Sequence, residues 1–195
     1  MVSAVDYNKE LHLLHLMQQV YSSLISVSNK LQTTGDKYCV PLTSRQYMTV
    51  LAMLHLPEEE TTIVNIANKL GATKQNVTQL IGSLEKKGLV AVVPSKKDRR
   101  AVNVRLTDLG LETMVNCGSN MTVDFMADVF NGFGEKELET LWNLLIKLYR
   151  FDGAEMDGFE DDVEVPDSFS DEEIRLALER FSHRRKISHY RDKNE

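Results

Sequence analysis

The chain has 195 residues, 42% of them hydrophobic, which is enough to bury a core on the scale of one globular domain with an appendage, or of two small lobes. Its two cysteines, Cys39 and Cys117, exclude a disulfide framework and fit a reducing cytoplasm. With no basic–apolar leader and no run of about 18 apolar residues, neither export nor membrane spanning is expected.

The first predicted element is a long helix over residues 6–33, with an apolar stripe through Leu13, Met17, Val20, Leu24 and Leu31 that Tyr21 and Ile25 widen. Gly35 and Pro41 mark a loop. Thr43 and Gln46 then have capping-box spacing and open a helix through Tyr47, Val50, Leu51 and Leu54, which ends before Pro57. Glu58, Glu59 and Glu60 read as an exposed loop. Thr62 caps a short helix, Ile63 to Leu70, and Gly71-Ala72-Thr73 turns into a second helix capped by Thr73 and ended by Gly88. Two β-prone runs, Leu89–Val93 and Ala101–Leu106, flank the polar segment 94–100 and read as a hairpin. Thr107 caps a helix to about Phe130. Gly132 and Gly134 break it, and an amphipathic helix follows from Glu135 to Tyr149.

The formal net charge of −6 hides a division along the chain. Residues 151–195 hold 14 acidic and 7 basic side chains, whereas Thr61–Leu106 carries nine Lys/Arg against Glu85 and Asp98. That local excess suits phosphate, although a solvated basic face would look the same. The helix pair decides between them. Two short helices joined by a Gly-containing turn form a helix-turn-helix, held by Ile66, Leu70, Val77 and Leu80, with small Ala67 at the crossing and Gly71 where positive φ is needed. The second helix presents Lys74, Gln75, Asn76, Thr78 and Gln79 at its front, with Thr73 before them. Amide side chains bond bidentately to adenine in the major groove, threonine touches a thymine methyl, and lysine meets phosphate. The hairpin adds a wing whose tip, Lys96, Lys97, Asp98, Arg99 and Arg100, is suited to the minor groove.

The helix-turn-helix followed by LEKKGLV and by DRRAVNVRLT resembles the MarR family of bacterial transcription regulators. Asp98, Arg100, Leu106 and Thr107 match the family's wing spacing, Asp-x-Arg followed by five residues and then Leu-Thr. Leu42 to Gln46 matches its LT-x-x-Q opening. The resemblance covers residues 6–150 and implies a mainly α fold with a small β-hairpin wing. It places a DNA-binding lobe at about 42–106 and a helical dimerisation lobe at about 6–33 and 107–150. It further implies a homodimeric, cytoplasmic regulator, a repressor, of a palindromic operator on double-stranded DNA. Release would come from a small-molecule effector or from oxidation, and no cofactor is called for. Carried over by position, Asp98 orders the wing, Arg100 enters the minor groove, and Lys74 to Gln79 read bases. The unusual apolar surface of the three long helices suits a dimer independently.

Residues 151–169 read as an acidic linker and 170–195 as a C-terminal helix and tail, opened by Ser170 and closed by Arg184-Arg185-Lys186, outside the family pattern. The linker carboxylates have two readings, a flexible tether or a competitor for the basic wing. Cys39, near Lys37, is the candidate redox sensor. His12 and His15 share a helix face but lack a further ligand, so no metal site is assigned. No phosphate loop, metal cluster or catalytic constellation points to an enzyme. The alternative is a winged-helix protein-interaction module that uses the acidic extension.

Overall fold

The computed structural model describes residues 5–95, 100–154 and 170–191, with side chains to 186 in the last segment. The order is α1 (Tyr7–Gly35), α2 (Ser44–Leu54), a 3-10 turn (Glu58–Glu60), α3 (Ile63–Lys69) and α4 (Lys74–Lys86). β1 (Val90–Pro94) and β2 (Val102–Leu106) follow, then α5 (Asp108–Ser119), a π-helical stretch (Asn120–Phe125), α6 (Met126–Val129), α7 (Glu135–Tyr149), a 3-10 turn (Arg150–Asp152) and α8 (Asp171–Arg191).

Local chemistry sets most boundaries. Thr43, Thr62, Thr73 and Thr107 each accept a hydrogen bond from a backbone N–H in the first turn of the following helix, and Gln46 closes the capping box at α2. Gly71 and Gly88 have φ of +58° and +72°, the left-handed conformation that ends α3 and α4. Gly35 differs from expectation. It stays helical and buried, because a Cβ there would stand 2.8 Å from Ser44 Oγ and 3.6 Å from Phe125, so the glycine lets α1 pass close to both.

α2, α3 and α4 pack around Ile66, Val77 and Leu84, all fully buried, with Val50, Ile81, Leu89 and Val104 closing the core. β1 and β2 pair antiparallel, Val90 with Leu106 and Pro94 with Val102. Val104 N donates to Thr61 O at 3.0 Å, and Thr62 bridges Asn103, so the segment before α3 forms a third edge to the hairpin. The π-helical stretch within the predicted 107–130 helix puts Met121, Val123 and Phe125 into the core. Asp124 and Asp128 are left on its outer side, facing α8.

The long helices behave differently. Along α1 only Gly35 is buried and along α7 no residue is, while Leu14, Met17, Val20, Ile25, Trp142 and Leu144 are exposed apolar side chains. α8 continues through Arg191 instead of closing at Arg184–Lys186, and its Arg180, Arg184 and Arg185 reach sideways to Asp124, Asp128 and Phe133 O. Among the described residues no helix is long and apolar enough to cross a membrane.

Candidate nucleic-acid interface

The second helix of the helix-turn-helix, α4, separates two arcs. Val77, Ile81 and Leu84 are buried against α2 and α3. Lys74, Gln75, Thr78 and Gln79 are exposed, and at 100° per residue they fall on one contiguous arc at the N-terminal end. Gly82, one turn further along that arc, has nothing within 4 Å of where a Cβ would stand, so the face stays low and open. Asn76, expected among the presented side chains, lies half-buried on the flank instead. Two hydroxyls already have structural partners. Thr73 Oγ1 accepts from Asn76 N at 3.2 Å, and Thr78 Oγ1 donates to Lys74 O at 2.8 Å.

The far end of α4 is clamped by residues whose roles are not evident from local pattern. Lys87 Nζ donates to Pro41 O and to Gln46 Oε1, both at 2.9 Å, and Gln46 Nε2 donates to Ser83 Oγ at 2.9 Å. Gln46 thus serves as a cap, as an acceptor for Lys87 and as a donor to the recognition helix. In the sequence it is marked by the capping-box spacing and by the LT-x-x-Q match, neither of which shows the bonds to Lys87 and Ser83.

The basic footprint is smaller than the sequence count. Lys69 is buried, Lys87 is engaged in the clamp, and Arg105 sits 3.0 Å from Glu58 at the wing base. That ion pair is close but not aligned as a hydrogen bond, since Arg105 Nε makes none. Lys74, Lys86 and Arg100 are exposed. Lys96, Lys97, Asp98 and Arg99 lie outside the described residues. Arg100 follows the tip, where Ser95 N donates to Ala101 O at 3.0 Å and closes the strands.

Cys39 does not have a sensor's environment. It is fully buried, and burial, then Cys117 and Asp36, push its thiol up to about 12, opposite to the lowering expected of Lys37. Cys117 is buried as well, and its thiol donates to Cys39 O at 3.0 Å. A folded pKa raised above the ordinary value adds stability below that value and loses it as pH rises through about 12. The expected result is that a thiol reagent such as Ellman's labels neither cysteine in the native protein at pH 8 and labels both after denaturation. Rapid native labelling would contradict this burial. Among the described residues no three or more His, Cys, Asp or Glu are grouped to hold a metal.

Residues 40–101, which span α2 to the wing, match the MarR family model. The chain is 27% identical over 139 residues to the transcriptional activatory protein BadR of Rhodopseudomonas palustris, covering 69% of this chain and 79% of that protein. The fold is similar to that of S. aureus MepR in its DNA complex, with TM-score 0.59 and 23% identity over 66% of this chain and 96% of that one. It is also similar to CouR of Rhodococcus jostii bound to p-coumaroyl-CoA, with TM-score 0.58 and 19% identity over 68% and 93% of the two chains. With its capped helix pair, its exposed polar arc and its two-stranded hairpin, the chain has a winged helix-turn-helix fold, and its residues 40–101 are similar to the MarR family of transcription regulators.

Proposed function

We propose that the protein acts as a homodimer that reads a two-fold symmetric operator, represses transcription by occluding the promoter, and is released by a small organic effector. The observation that carries this reading is the exposed arc of Lys74, Gln75, Thr78 and Gln79 on a helix whose opposite arc is locked in the core. Set in a major groove, Gln75 and Gln79 bond to base edges, Thr78 offers a methyl to thymine, and Lys74 and the Thr73 hydroxyl meet phosphate. Asn76, from the flank, contacts the groove edge. The wing residues Lys96, Lys97, Arg99 and Arg100 lie along the minor groove, with Asp98 ordering the tip. The uncovered apolar faces of α1 and α7 support dimerisation, since a second copy would remove them from water. The p-coumaroyl-CoA complex of a fold relative supports a small-molecule effector; the burial of Cys39 argues against release by oxidation.

Two substitutions separate these roles. Arg100→Ala is expected to weaken binding across many sequences and to flatten the salt dependence by about one unit of slope for each phosphate it ceases to neutralise. Gln75→Ala is expected to relax preference at one base pair of each half-site, by about 1–3 kcal/mol. Binding titrations at several salt concentrations, against an operator and its single-base variants, check both. Wild-type behaviour of Arg100→Ala would remove the wing from the interface.

A further inference from the structure

α8 lies outside the stretch that matches the family model, and it is held to its own chain mainly through arginines. Arg184 grips Asp128 with two parallel bonds, Nε to Oδ1 at 2.7 Å and Nη2 to Oδ2 at 2.6 Å, and its Nη1 stands 3.3 Å from Asp124. Arg180 binds Asp124 through Nε at 2.8 Å and through Nη2, and reaches Ser119 and Asn120. Asp128 also accepts the phenolic proton of Tyr38 at 2.5 Å. This carboxylate is therefore shared by the C-terminal helix and by the segment that links α1 to the reading head.

That segment leads to α4. Tyr38 packs edge-on against Phe125, Asp36 accepts from Ser44 N at 2.7 Å, and the carbonyl of Cys39 accepts from Cys117. Pro41 O then receives Lys87 Nζ, which also binds Gln46, the residue bonded to Ser83. A continuous set of contacts thus runs from Arg184 through Asp128 and Tyr38 to the C-terminal end of the recognition helix. Resting on the DNA-reading function proposed above, we infer that Arg184, Asp128 and Tyr38 are positioning residues for α4, and that α8 is a strap whose docking sets the angle of the reading head. They touch no DNA in this scheme; they fix the support from which Gln75 and Gln79 are presented. Charge-assisted bidentate pairs suit such a role, because they fix direction as well as distance.

The test uses the full chain. Arg180→Gln with Arg184→Gln removes the grip on α8 at one exposed and one half-buried position. Tyr38→Phe removes only the phenolic link and leaves the ring on Phe125. Amide exchange is measured on each, together with affinity for an operator recovered from a random duplex pool and for unrelated duplex. The arginine variant is expected to lose protection in residues 171–186, 36–42 and 84–88. Tyr38→Phe is expected to lose it in 36–42 and 84–88 while α8 stays protected. Both are expected to bind the operator about 3- to 30-fold more weakly with affinity for unrelated duplex unchanged, and their combination to cost little more than one alone. Undocking of α8 with wild-type protection at 84–88 and wild-type operator affinity would overturn the inference, as would an α8 that stays protected without its arginines. If the wild type selects no operator, the proposed function fails separately, and exchange at 84–88 still decides whether the strap reaches α4.

Discussion

Gly110→Ala is expected to cost about 3 kcal/mol of unfolding free energy or more, although the position is an ordinary helical one that normally favours alanine. Gly110 is in the first turn of α5, where its N–H donates to the capping Thr107 Oγ1 at 3.0 Å. A Cβ there would meet Leu89 O at 2.0 Å, which is backbone and cannot rotate away. The same carbonyl accepts from Thr107 N at 3.1 Å, and Thr107 Oγ1 donates to Gly88 O at 2.7 Å. α5 therefore cannot retreat without breaking the bonds that seat it on the base of the wing. Gly118, in the same helix, has nothing within 4 Å of where a Cβ would stand, so Gly118→Ala is expected to add up to about 1 kcal/mol. Urea unfolding of both variants checks this. Equal stability of Gly110→Ala and wild type would mean that α5 does not approach the strand this closely.

Lys74→Glu is expected to do the reverse, leaving stability intact and weakening DNA binding strongly. Lys74 is the first residue of α4 and is exposed, so the reversal breaks no packing. A carboxylate at a helix N-terminus gains about 0.3–1 kcal/mol from the dipole. Opposite phosphate, the same reversal replaces attraction with repulsion, at about 1.4 kcal/mol or more for each half-site, so a dimer on two half-sites loses about a hundredfold at ordinary salt. Thermal melts and binding titrations on one preparation give both quantities. Unchanged affinity would mean that the front of α4 does not face DNA.

The parts of the fold legible in the sequence are those written by local chemistry. Thr43, Thr62, Thr73 and Thr107 cap helices wherever a threonine precedes a periodic apolar run, and Gly71 and Gly88 stop them by taking positive φ. The hairpin follows from two β-prone runs around a polar turn. What is not legible depends on partners far along the chain. Arg184 reads as part of the basic end of a helix, yet its carboxylate partner, Asp128, is 56 residues away, just after a π-helical stretch that no local pattern marks. Lys87 stands beside the helix-ending Gly88 with nothing local to show its partner, and in the fold it bridges to Pro41, 46 residues earlier. Lys69 and Arg105 count toward a basic face, but the first is buried and the second faces Glu58. Charge counts along a sequence carry no information on which charges are neutralised in the fold. Cys39 near Lys37 reads as an activated thiol, and burial reverses the sign of the shift.

Whether α4 of a two-fold dimer reads bases is decided by selecting duplexes from a random pool with the full chain and sequencing the bound fraction. The predicted result is one enriched, two-fold symmetric site, with half-sites about one helical turn (~34 Å) apart and A·T pairs where the amides of Gln75 and Gln79 reach. That enrichment would be lost with Lys74→Glu. Recovery of no common sequence, with binding that only declines as salt rises, would contradict base reading and leave a protein that holds phosphate alone.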